Sequence, residues 1–252
     1  MSQENKPRIQ LQLGKQTPSN VMQEIREINS NYILEEYGGP DGNKPAEYSN
    51  YLFVWNGSQV PWNETPLIEL GAEKDGMPIS QEGFKFTNQQ YIIGYSVGPN
   101  VNSPNEKNSD GASPYRNVCA TAVLPANWKL EDIIIDPSNL SVSTISTRVV
   151  TFTFKFPNGF NPGANKSWIG LFNGHVIPYD LDPFAFVPIT TTTSLGSVAI
   201  GQLAISPGET YTAALYTCGY DKDFAKRRES KRRIAATLVF DTGFPLSRDA
   251  HK

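Results

Sequence analysis

The sequence predicts an all-β protein of two tandem β-sandwiches produced by an internal duplication, and three observations predict it. First, Ser167-Trp168-Ile169-Gly170-Leu171-Phe172-Asn173-Gly174 has a counterpart 117 positions earlier, Asn50-Tyr51-Leu52-Phe53-Val54-Trp55-Asn56-Gly57. The correspondence continues through Pro61 and Pro178, Trp62 and Tyr179, Pro66 and Pro183, Tyr95 and Tyr216, and Gly98 and Gly219. It closes on Arg116–Leu124 against Arg232–Phe240, the offset drifting from 117 to 121 to 116 as loops of unequal length require. Second, short apolar and aromatic runs recur at a spacing of roughly 8–15 residues, bounded by Gly, Pro, Asn and Ser. Third, no long helical period interrupts them.

Taken in order, Arg8–Leu13 alternates apolar and polar residues, the mark of a half-buried strand. Ser19 or Asn20 can cap a helix, Glu24 falls near the capping-box position, and Met22, Ile25 and Ile28 share a helical face. A short helix is therefore expected near 19–37. Because Arg8–Leu13 is matched to Arg148–Phe156, that helix reads as an insertion in the first repeat alone. Tyr51–Trp55, Leu67–Leu70, Phe84–Phe86, Tyr91–Val97 and Val118–Leu124 read as strands, with a 17-residue loop at Gly98–Pro114. Pro125–Lys129 marks the boundary, dividing the chain into 1–126 and 127–252. In the second half Ile133–Ile135, Leu140–Ser143, Val149–Phe156, Trp168–Phe172, Phe184–Ile189, Ser197–Ile205, Tyr211–Cys218 and Ile234–Phe240 are strands. About seven strands over about 110 residues fit an immunoglobulin-like Greek key. In that order Arg148–Phe156 is strand B, Trp168–Phe172 strand C, Tyr211–Cys218 strand F and Arg233–Phe240 strand G. The fold class is two tandem immunoglobulin-like Greek-key β-sandwiches with a short helical insertion in the first. In such a fold Trp168 and Tyr51 are expected to face the core.

The Ser-Trp-Ile-Gly-Leu-Phe run at 167–172, the later strand with Tyr211 and Tyr216, and the closing segment from Arg233 to Phe240 resemble the SKICH domain of autophagy receptors and inositol phosphatases. They are also similar to the sandwich domain at the front of purple acid phosphatases. The resemblance spans roughly 148–240 and, more weakly, 8–124. It implies a sandwich fold and a non-catalytic module that recognises proteins or membranes.

Composition narrows the function classes. Of 252 residues, 38% are hydrophobic and 19% charged, enough apolar material for a core in each half. The net charge of −3 supplies no global pull toward nucleic acid or membrane, so such a pull has to be local. Cys119 and Cys218 occupy non-equivalent positions in different halves, which argues against a disulfide and for a reducing compartment. Met1–Arg8 has no apolar core of the kind a signal peptide needs, and no apolar run approaches the roughly 18–20 residues of a membrane helix. The expected site of synthesis is the cytoplasm, with release by lysis or a non-classical route left open. The Asn-x-Ser/Thr matches at Asn56, Asn63, Asn139 and Asn165 are read as chance.

Catalysis is disfavoured. His175 and His251 are the only histidines, no nucleophile elbow or phosphate-binding glycine loop occurs, and the two Cys and two His are too scattered for zinc. No cofactor is expected. Asp180/Asp182 and Asp221/Asp223 have a spacing that loop carboxylates use for calcium. They follow strands C and F, which end at opposite poles, so they are weak metal candidates. The sharper feature is Lys222, Lys226, Arg227, Arg228, Lys231, Arg232 and Arg233, seven cations in the F–G loop of the second repeat against Asp223 and Glu229. The matching loop of the first repeat has only Lys107 and Arg116. Such a segment suits phosphate, sulfate, acidic lipid or an acidic protein, another copy of the chain included. It also matches a nuclear-import pattern, while the absence of interleaved aromatics beyond Tyr220 and Phe224 disfavours nucleic acid. Trp62 with Asn63, and Tyr179 with Asp180, are a second candidate: an aromatic beyond strand C beside a polar side chain can stack on a sugar. The expected function is non-catalytic binding of a glycan or anionic surface through loops at the sandwich poles. The rival is a structural protein that self-assembles into a filament, shell or inclusion, and an enzyme ranks third.

Overall fold

Alternating burial along short runs builds the sheets. A computed structural model describes residues 9–72, 76–98, 113–223 and 232–245. The strands of the first half are β1 (Leu11–Asn20), β2 (Met22–Ile28), β3 (Ile33–Gly38), β4 (Tyr51–Asn56), β5 (Ile68–Gly71), β6 (Gly76–Ile79), β7 (Tyr91–Ser96) and β8 (Val118–Leu124). Those of the second are β9 (Ile134–Pro137), β10 (Asn139–Ile145), β11 (Val150–Lys155), β12 (Trp168–Asn173), β13 (Ala185–Pro188), β14 (Leu195–Ile200), β15 (Thr210–Tyr216) and β16 (Ile234–Pro245). The chain is all-β. A four-residue helix, α1 (Pro45–Tyr48), precedes β4.

The strands form two sandwiches, each a five-stranded sheet over a three-stranded one. In the first, β5-β4-β7-β8-β9 covers β2-β3-β6; in the second, β13-β12-β15-β16-β1 covers β10-β11-β14. In the second sandwich β10, β11 and β14 are thus strands A, B and E of one layer, and β13, β12, β15 and β16 are C′, C, F and G of the other, the immunoglobulin-like Greek-key order. The 117-residue offset now covers the front of each repeat as well: β2 to β5 begin at 22, 33, 51 and 68, and β10 to β13 begin at 139, 150, 168 and 185. Ile25, Ile28, Ile33 and Tyr37 correspond to Val142, Ile145, Val150 and Phe154.

Two expectations are corrected. Residues 19–37 are not a helical insertion but the hairpin β2–β3, paired from Met22↔Gly38 to Ile28↔Ile33. Met22, one of the supposed helical face, is 58% exposed, whereas Gln23 and Ile25 are buried. The true period is two. It is disguised because polar Gln23 and Glu35 hold inward positions, taken by Leu140 and Phe152 in the second repeat. The turn is closed by the Asn29 side chain, whose Oδ1 accepts from the Asn31 and Tyr32 amides. The division at 126/127 is also not the one the sheets follow. β1 lies on β16 of the second sandwich, and β9 lies on β8 of the first. Each repeat therefore lends its first strand to the other.

The two loans are made in the same register. Thr17↔Val239, Pro18↔Leu238, Ser19↔Thr237 and Asn20↔Ala236 on one side match Ile134↔Val123, Ile135↔Ala122, Asp136↔Thr121 and Pro137↔Ala120 on the other. One apolar core runs through both repeats, from Val54, Ile93 and Leu124 to Phe152, Ile169 and Leu238. The outer face of each five-stranded sheet carries its own aromatic cluster, Phe53, Trp55 and Tyr115 in the first and Trp168, Tyr179 and Tyr216 in the second. Trp168 and Tyr51 are the third correction: they belong with these outer clusters and not with the core between the sheets.

Candidate functional site

The basic segment begins where β15 ends and finishes where β16 begins. Lys226, Arg227, Arg228 and Lys231 lie outside the described residues. Lys222 is exposed, on a short turn in which Asp221 Oδ1 accepts from the Asp223 amide at 2.8 Å. Arg232 is exposed too, with its guanidinium 5.2 Å from the centre of the Tyr48 ring, a cation–π contact to the first repeat. Arg233 does not belong with them. It is 6% exposed, and its Nη1 donates to Cys218 Sγ at 3.5 Å. Its position is fixed by the duplication. The Arg233 carbonyl accepts from Thr217, as the Asn117 carbonyl accepts from Val97. A side chain at that point is driven into the junction between the repeats, against Gly98, where an added Cβ would stand 2.9 Å from Arg233 Cγ. Asn117 makes the reciprocal contact, accepting from Cys218 Sγ at 3.0 Å, because the strand registers match Gly98 with Cys218 and Tyr95 with Leu215, one position short of the Gly219 and Tyr216 expected from sequence.

The aromatic residues proposed for sugar stacking are likewise junction residues. Tyr179 is 2% exposed and stacks on Tyr48 of the first repeat, centroids 5.0 Å apart at 27°. Trp62, half-buried, meets Phe160 of the second repeat edge-on at 5.2 Å. Each ring leaves its own C–C′ loop and enters the other repeat's B–C loop, beside a glycine of positive φ, Gly42 at 84° for Tyr179 and Gly159 at 78° for Trp62. A Cβ at Gly159 would stand 3.0 Å from Trp62 Nε1, and one at Gly42 would stand 2.3 Å from Ile177 Cγ2, so both positions need glycine. Burying these rings removes more apolar surface from water than a solvated loop would, and burial pushes the Tyr179 phenol up. Asn63 is exposed but stands beside a half-buried ring, and the Asp180 side chain lies outside the described residues.

Sequence reasoning passed over an exposed aromatic edge. β13 ends its sheet, and Phe184 and Phe186 are 43% and 36% exposed there, with Leu181 and Ile177 nearby in sequence at 42% and 57%. The equivalents of Phe184 and Phe186 in the first repeat are Leu67 and Glu69. The Phe186 ring lies 6.2 Å from Tyr220, whose amide donates to the Lys166 carbonyl at 2.8 Å. The start of the basic segment is thereby held against the aromatic edge. The signal was in the sequence, since the duplication aligns Phe186 with Glu69, yet both read as ordinary strand residues.

His175 is exposed, and Cys119 and Cys218 are buried thiols not paired to each other; burial pushes Cys119 up. Asp182 is exposed, and among the described residues no three His, Cys, Asp or Glu side chains gather into a group that could hold a metal. No described helix is long and apolar enough to cross a membrane.

No family model matches the chain, and no curated protein matches it. Among solved structures, the chain is similar to a central fibronectin-III array of RIM-binding protein, with a TM-score of 0.23 and 11% identity over 79% of this chain and 62% of that one. It is also similar to the BSP domain of a biofilm-associated protein, with a TM-score of 0.22 and 10% identity over 92% of this chain and 30% of that one. The chain thus spans less than two thirds of either. Neither is the SKICH or phosphatase domain expected from the Trp-Ile-Gly-Leu-Phe strand. The immunoglobulin-like assignment rests on the strand order itself.

Proposed function

We propose that this protein is a non-catalytic binding protein that docks on an anionic surface through the β15–β16 end of its second sandwich. The observation that carries this reading is the Phe186–Tyr220 contact, which brings the chain to the exposed aromatic edge two residues before exposed Lys222. Aromatic rings favour the interface between water and lipid, and cations favour acidic headgroups, so the two together fit an anionic membrane better than a sugar. The stacking rings that a glycan site requires are spent at the junction. Sedimentation with phosphatidylserine-containing vesicles tests the reading, with phosphatidylcholine vesicles as control. Retention is expected on the acidic vesicles alone, weakening as salt rises, and falling about fivefold for each cation removed, Lys222→Ala first. Equal retention on neutral vesicles, or none on acidic ones at low salt, overturns it. Retention on a glycan array instead would return the function to sugar binding at another surface.

A second reading, self-assembly, is favoured by the same edge seen differently. β13 offers an outer strand edge with two exposed phenylalanines, and Leu195 on the neighbouring edge strand β14 is 60% exposed. Such an edge is a template for another strand. Size-exclusion chromatography at rising concentration separates the readings, because a mass independent of concentration removes the second.

A further inference from the structure

We infer that the junction between the two repeats is a self-sufficient interface that forms between separate chains as well as within one, so that a second copy of this protein is its partner. This does not rest on the anionic-surface reading, and it gives the self-assembly reading a specific route. The junction has the form of a two-fold interface in which each contact is made twice with roles exchanged. β1 lies on β16 and β9 on β8 in the same register. Trp62 enters the second repeat beside Gly159 and Phe160, and Tyr179 enters the first beside Gly42 and Tyr48. Arg233 packs against Gly98, and Asn117 meets Cys218. Two copies of one repeat exchanging their first strands would make the same strand pairings and set the same ring position against the same glycine, whereas the ring pairs themselves differ, since Phe160 and Tyr48 are matched by Asn43 and Asn165.

The covalent link lies mostly at the surface. Residues 125–133 join the halves, and none of them is buried, Trp128 and Ile133 packing half-buried against the core. Trp128 in that stretch has φ 53°, a left-handed conformation costly for a non-glycine residue. If the first repeat of one chain docks on the second repeat of another, the junction contacts are kept and only this link changes path. The link does hold the halves at high effective concentration, so the closed monomer wins in dilute solution and the exchanged form grows as folding concentration rises.

Two experiments on the full chain test this. In the first, a protease site is inserted between Ala126 and Asn127, and the folded protein is cut. The halves are expected to co-elute at the mass of the uncut chain, and their separation or precipitation overturns the inference. In the second, one tagged chain carries Ser19→Cys and another Thr237→Cys, a pair facing each other across β1 and β16. The two are unfolded, mixed and refolded under reducing conditions, and oxidised only once folded. An interchain disulfide whose yield rises with concentration is expected, and buried Cys119 and Cys218 do not compete. If the double variant closes within one chain but the mixture gives no heterodimer, exchange between chains is refuted. Concentrated protein that assembles without this cross-link also refutes it, and leaves self-assembly to another surface such as β13.

Discussion

At the scale of single residues, the duplication turns each difference between the halves into a comparison with an internal control. Glu35 is the sharpest. It sits fully buried where the second repeat has Phe152, held by a 2.7 Å hydrogen bond from Gln23 Nε2. Burial pushes its carboxyl up to about 8, against the smaller opposing effect of Gln23, from an ordinary value of 4.5. Between pH 4.5 and about 8 the unfolded chain releases this proton while the folded chain keeps it, so stability falls as pH rises, by at most about 1.4 kcal/mol per unit. Glu35→Gln keeps the partner and removes the charge. Denaturant unfolding at pH 5 and pH 8 should show the native chain losing stability relative to this variant, and parallel behaviour would refute the burial argument. Arg233 and Tyr179 carry the complementary lesson. Charge marked the first as a ligand residue, and position beyond a strand marked the second as exposed, yet both are packed into the other repeat. Neither fact can be read from residue type, because neither partner is near in sequence.

At the scale of elements, β1 shows how a strand is assigned to a sheet. Its alternation was legible, but its partner was not, since β16 lies more than two hundred residues away. Besides the Gln10↔Ser146 bridge at its start, β1 is fastened to the opposite layer by Gln16. Its Oε1 accepts from the Val142 amide at 2.8 Å, and its Nε2 donates to the Val142 carbonyl at 3.2 Å. Ile133, the equivalent by offset, has no amide with which to do this. Gln16→Ala leaves two backbone groups without their partner, at a cost of about 1–3 kcal/mol. For a chain of this length that lowers Tm by roughly 2–12 °C, measurable by thermal unfolding, and an unchanged Tm would show the bridge to be idle. The β2–β3 hairpin is the opposite case. A helical spacing of three apolar residues outweighed the alternation, because polar Gln23 and Glu35 interrupt the inward set. Aligning 22–38 with 139–155 at the same offset as the Trp-Ile-Gly strand identifies the hairpin at once.

At the scale of the molecule, the halves are two sandwiches by layer but one body by connectivity. Neither five-stranded sheet is complete without a strand from the other repeat, and a single apolar cluster spans both. Loss of one sandwich therefore strips an edge from the other. Calorimetry should record one cooperative transition whose van't Hoff and calorimetric enthalpies agree, whereas two resolved transitions would mean that the shared strands couple the halves weakly.

By itself the sequence determined the repeat, the all-β class and most strands, because core alternation and turn residues are local and the duplication states them twice. It also located the cationic segment, since charge is written in residue type. The tertiary structure alone decided which sheet owns β1 and β9, that Trp62, Tyr179 and Arg233 belong to the junction, and that Phe186 and Tyr220 meet two residues before Lys222. These are contacts between segments distant in the chain. Their formation depends on strand pairing and on apolar surface being buried wherever the fold brings it together, and neither leaves a period in the sequence.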